Sequence, residues 1–193
     1  MMERVNLTPV TGALSALLPA IDDDRLDART PCERWPVRQL LAHLDGLTLA
    51  FRAAADKDLG PLTDTAPTDA SLELAPDWRE KLPNQLSALA LAWSRPEAVQ
   101  GMTRAGGVDM PGSVTAAVTV NELVVHGWDL ARASGQHFDP GGTAVEAALS
   151  FVEQVPDEPE QRRGLFGPRV QLDGGSALDR LLAAAGRDPH WKS

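Results

Sequence analysis

Apolar residues return every three or four positions along most of this chain and alternate only rarely, so helices are the predicted elements. Val10, Leu14, Leu17 and Leu18 set the first stripe. Thr8 and Pro9 ahead of it offer an N-cap and a first helical position, and the helix should stop before the acidic run at 22–24. Residues 22 to 36 carry charges, two prolines and a tryptophan and read as an ordered loop. Pro36 then opens a second helix. Its stripe of Val37, Leu40, Leu41, Leu44, Leu47 and Phe51 tolerates Gly46 and carries His43 at its edge.

Residues 57 to 76, rich in Pro, Thr and Asp, predict a surface loop before a third helix capped by Asp77, with Pro83 placed to bend it. The stretch WSRPEAVQGMTRAGGVDMPGS has two prolines and four glycines, which favours an irregular connection or a short hairpin over another helix. The fourth long helix, Gly112 to Ser134, has apolar or Ala residues on nearly every face and should be the most buried element. A further helix is expected over 143–154. The tail predicts a short extended piece and a last helix over 176–185, with Gly186 and Pro189 as stop signals. Four substantial helices without a clear strand pattern predict an all-α four-helix bundle with short extra C-terminal helices, and such bundles place their sites on inward faces.

At 193 residues, one domain spanning 1–193 is expected, long enough to bury a core. A net charge of -9 and the absence of any basic run argue against nucleic acid as a partner. The N-terminal stretch has no apolar signal core, and polar residues interrupt the longest apolar helix, so no membrane partner and a cytoplasmic location are expected. The one cysteine, Cys32, cannot form an internal disulfide or a thiolate cluster and is expected to be a small loop or core residue. Chemistry then falls to histidines and carboxylates.

Glu122 and His126 are four residues apart, so on a helix both project from one face toward a common point. An ionised carboxylate on an inward face costs several kcal/mol unless it is compensated, and a cation compensates it. His43 is the other histidine on an inward-looking helix. His43, Glu122 and His126 thus offer a divalent ion two imidazoles and a carboxylate, with positions left open for a bound molecule. A Glu–His ion pair in a polar core would leave the same sequence trace. Asp129, three residues beyond His126, is placed either to orient that ligand from behind or to pair with an arginine. Trp128 is expected to pack, Arg132 to complement a helix end, and His137 and His190 to be exposed beside turns.

The segments TPCERWPVRQLLAHLDGL and NELVVHGWDLARASGQ, closed by FGPRV and LDRLLAAAGRDPHW, together resemble the metal-binding branch of the mycothiol-dependent maleylpyruvate isomerase N-terminal-domain family, within the DinB/YfiT-like superfamily. The resemblance runs from about Thr8 to Trp191. It implies a four-helix bundle with a divalent ion, commonly zinc, held by a histidine matching His43 and a Glu-x-x-x-His matching Glu122 and His126, with Asp129 behind them. It further implies a low-molecular-weight thiol such as mycothiol or bacillithiol as cofactor, its thiolate attacking an electrophilic substrate. Relatives that isomerise maleylpyruvate carry an additional C-terminal domain, whereas the stretch after Gln136 here is short and largely the family's own tail.

The first functional expectation is therefore a metal-dependent thiol transferase or isomerase. A noncatalytic metal-dependent binding or stress-response protein would use the same ligands, and two histidines with one carboxylate can also hold Fe(II) for oxygen chemistry. Zinc, nickel, iron and manganese all accept such donor sets. A homodimer through an exposed helix face is open, with no specific pattern to mark it.

Overall fold

The computed structural model describes residues 6–66, 72–162 and 165–192. Helix α1 (Thr8–Leu17) is ten residues long, too short to persist alone in water. Leu7, Val10, Leu14 and Leu17 are almost wholly buried, each contributing about 1.5–3 kcal/mol. Tertiary docking therefore holds the helix. Its start corrects the expected cap: Thr8 is already helical, no side chain of the residue before it caps it, and the Thr8 N–H donates to Asn6 Oδ1 at 3.1 Å. Asn6 takes the role because its amide oxygen reaches the first free N–H.

Helix α2 (Val37–Asp56) follows Pro36 as expected and buries Val37, Leu40, Leu41, Leu44, Leu47 and Phe51. The segment expected to be a plain loop contains a one-turn helix, α3 (Pro61–Asp64). It carries no apolar stripe, so periodicity could not reveal it. Its turn is closed by Thr63, whose hydroxyl bonds the Gly60 backbone. Helix α4 (Trp78–Trp93) begins after Asp77, but the Asp77 carboxylate pairs with Lys81 at 2.8 Å instead of capping. Pro83 lies inside this helix and has no N–H to return to the Arg79 carbonyl.

The glycine-rich connection resolves into an antiparallel hairpin, β1 (Met102–Ala105) and β2 (Val108–Pro111), with Ala105 opposite Val108. Gly106 and Gly107 between them have φ of 59° and 79°, the left-handed pair a two-residue hairpin turn needs. Thr103 Oγ1 donates to the Ala54 carbonyl at 2.6 Å and pins the hairpin to α2. Helix α5 (Gly112–Ser134) has the bounds its sequence predicts and ends at Gly135 in the left-handed conformation. Helices α6 (Gly142–Glu153), α7 (Pro159–Arg162) and α8 (Ala177–Ala184) complete the chain; Ser176 and Asp179 close α8 with a reciprocal cap.

Helix α1 packs on α4 and α5, and α2 packs on the same two, giving the ring α1–α4–α2–α5. Helix α6 packs on the outside of α5, and α8 on α6. Helix α5 is thus covered on both sides, which is why it has no polar face. Its Gly127 leaves room for Phe138: a Cβ there would stand 2.4 Å from the Phe138 ring. No helix among the described residues is long and apolar enough to cross a membrane.

Candidate metal centre

One turn of α5 separates Glu122 from His126, and the contact of α2 with α5 brings His43 to the same point. His43 Nε2 and His126 Nε2 each stand 3.2 Å from Glu122 Oε2, and the three ligand atoms lie within 4.8 Å of one another. Donors bound at about 2.0–2.2 Å in a tetrahedral site stand about 3.3–3.6 Å apart. The two edges at Glu122 approach that spacing, so this donor set fits a divalent ion.

The two imidazoles are oriented by different means. His126 Nδ1 donates to Asp129 Oδ2 at 3.0 Å, leaving Nε2 to face Glu122. Asp129 is fully buried and is itself gripped by Arg187, whose Nε and Nη2 each stand 3.1 Å from its carboxylate oxygens. Because Arg187 follows α8, the C-terminal tail is tied directly to the imidazole on α5. His43 has no such prop: its Nδ1 is buried and has no hydrogen-bond partner among the described residues. The Trp35 ring, 4.5 Å away between centroids and tilted by 34°, fixes the His43 plane by stacking.

Charge follows from this arrangement. Burial pushes the Glu122 carboxyl up, but the hydrogen bonds and charges of His126 and His43 outweigh it and hold it well below the usual carboxylate range. Burial likewise disfavours charge on His126, yet hydrogen bonds to Asp129 and Glu122 raise its pKa to about 10. Burial keeps His43 below its ordinary value, so it presents a neutral imidazole. For Arg187, burial is outweighed by the Asp129 charge, and its pKa is raised.

These residues form one end of an open cavity of about 630 Å³, with His43, Glu122 and His126 in its wall. Pro31 to Trp35, the loop at 165–170, Gly186 and Arg187 line the rest. Trp128 is buried outside the lining, and Arg132 leans over Trp128 and donates to the Trp191 carbonyl. His137 and His190 are exposed, as their turn positions predict. Cys32 is a buried core residue in the 31–35 loop, as expected, and takes a further place in the site. It lines the cavity, with Sγ within 4.8 Å of ligand atoms of His126 and Asp129. That second trio is a poorer ion site because Arg187 and His126 Nδ1 already occupy the Asp129 oxygens. Arg187 and Trp35 are the site residues the sequence did not single out.

Residues 7–131 match the family described as Mycothiol maleylpyruvate isomerase N-terminal domain, a span that includes His43, Glu122, His126 and Asp129. Two uncharacterized proteins, from two strains of Mycobacterium tuberculosis, are each 28% identical over 181 residues, covering 92% of this chain and 86% of theirs. The crystal structure of the mycothiol-dependent maleylpyruvate isomerase superposes with a TM-score of 0.64 at 20% identity, over 96% of this chain and 89% of that one. A histidine-to-alanine variant of the mycothiol-dependent maleylpyruvate isomerase gives 0.62 at 21% identity, over 94% and 88%. The fold is that DinB-like helical bundle. Because the match takes in 89% of the isomerase chain, no whole additional domain of that protein is left over, which corrects the contrast drawn from the short tail.

Proposed function

The chain belongs to the mycothiol maleylpyruvate isomerase N-terminal-domain family, and we propose that it is a divalent-metal protein using a low-molecular-weight thiol of the mycothiol type to transfer to, or isomerise, a small electrophilic substrate. His43, Glu122 and His126 are the ligands in this reading, and zinc suits two imidazoles and one carboxylate best, with nickel or iron able to replace it. The observation that carries it is the convergence of three ligand atoms in the wall of an open cavity of about 630 Å³. A purely structural ion would be closed off by a fourth protein ligand.

A bound ion there acts as a Lewis acid that lowers the pKa of a thiol and so supplies thiolate near neutral pH. The chain's own residues prepare the place. Asp129 and Arg187 fix the His126 ring so that Nε2 points at the shared centre. Trp35 and the aliphatic part of the 165–170 loop wall the space where a thiol would lie. The test is elemental analysis of untagged protein, then titration of metal-loaded protein with mycothiol and assay against a panel of electrophiles. Near one equivalent of transition metal and metal-dependent thiol binding are expected. Loaded protein that binds no thiol and turns over no electrophile would sink the enzymatic reading and leave a metal-binding protein.

A pH dependence accompanies it. In the metal-free protein both His126 nitrogens face carboxylates, and the ring holds its proton up to a pH of about 10. An ion at Nε2 must displace that proton, whereas His43 is already neutral. Metal affinity is expected to rise with pH, approaching about tenfold per unit between pH 6.5 and 8.5, with about one proton released. Calorimetric zinc titration in two buffers of different ionisation enthalpy measures this. Identical heats in both would contradict it.

A further inference from the structure

Arg162 ends α7 with only 4% of its side chain exposed. Its Nε and Nη2 donate to the Gly167 carbonyl, and Nη2 also donates to the Ala184 carbonyl at 2.6 Å. Those bonds clamp the 165–170 loop against α8, and a clamp explains only half of the guanidinium. Nη1 is buried with no hydrogen-bond partner among the described residues, although a lost partner on a buried charged donor is costly. Asp157 Oδ1 is 3.8 Å away, too far to accept from it, and already bonds Arg169 Nε. Two guanidinium groups therefore share one carboxylate, which is itself 71% exposed. The pair has one positive charge in excess.

Both arginines line a cavity of about 420 Å³ whose other walls are Asp157, Pro159, Phe166 and Pro168. The Arg162 guanidinium also stands 5.4 Å from the Phe166 ring centroid. We propose that this cavity is a binding site for an organic carboxylate, its carboxyl held between the Arg162 and Arg169 side chains and its apolar body laid against Phe166 and the two prolines. A carboxylate matches the planar fork of a guanidinium, and the apolar walls favour a ligand with a hydrocarbon body over a bare ion. Phe166, Pro168 and Arg169 also line the larger cavity, so the two spaces share one loop. This inference does not depend on the metal reading.

The test is calorimetric titration of the whole protein with benzoate, with benzyl alcohol and inorganic phosphate as comparators. Saturable benzoate binding is expected, weakened at least about tenfold in Arg169→Gln, whose side chain is 31% exposed and also bonds Asp157 and the Val152 and Val155 carbonyls. Arg162→Lys should also weaken it, and helical circular dichroism of both variants checks that the fold survives the lost bonds. No saturable benzoate binding to the wild type would overturn the site. Binding that survives Arg162→Lys but is lost in Arg34→Gln would overturn it too, placing the carboxylate in the larger cavity, which Arg34 lines and Arg162 does not. Equal affinity for phosphate would overturn the apolar half of the assignment.

Discussion

Replacing His126 with alanine is expected to take bound transition metal from about one equivalent to below about a tenth, while the helical circular dichroism of the protein stays as it was. Zinc bound by protein ligands is worth about 10–16 kcal/mol in structural sites, so one ligand of three represents several kcal/mol, on the order of a thousandfold in affinity. The fold should survive because the ring lies in the wall of an open cavity, where water can replace it, and because Asp129 keeps Arg187 as its partner. His43→Ala should lose metal for the same reason, although its ring is held by stacking on Trp35 and not by a carboxylate. Elemental analysis beside circular dichroism decides the matter. A wild type that is metal-free and cannot be loaded with zinc, nickel or iron would leave His43, Glu122 and His126 as a polar core cluster.

The parts of this molecule that were legible in its sequence are those written as local patterns. Helix α5 could be bounded closely because its periodicity is long and Gly135 supplies a left-handed stop. The hairpin could be anticipated from Gly106 and Gly107, and Glu122 and His126 could be placed on one face from their spacing alone. What escaped was either too short for a period, as in α3 and α7, or made by distant contact. Asn6 displaced Thr8 as the cap because the two compete over a single turn, which propensity does not resolve. Arg187 grips Asp129 across 58 positions, and no local signal distinguishes that arginine from its neighbours. Cys32 and Trp35 enter the site only because the 31–35 loop folds over α2 and α5.

Asp129 supplies the other large effect. Its carboxylate is fully buried, with Arg187 on one side, 11% exposed, and the His126 ring on the other. Asp129→Ala leaves a nearly buried guanidinium without its anion, and removing one partner of such a pair costs about 3–5 kcal/mol. For a chain of this size that corresponds to a fall in thermal midpoint of about 6–20 °C. The same change frees His126 Nδ1, so metal affinity should drop by about 10–100-fold, less than the loss of a ligand itself. Removing both charges in Asp129→Ala with Arg187→Met should restore part of the stability, because no unpaired charge remains buried, but none of the metal affinity, because the imidazole is still unanchored. Differential scanning calorimetry and zinc titration on the two variants and the wild type separate these effects. A thermal midpoint within about 2 °C of wild type in Asp129→Ala would show that Arg187 finds water or another anion when its partner is gone, and that the tail is not held to α5 by this pair.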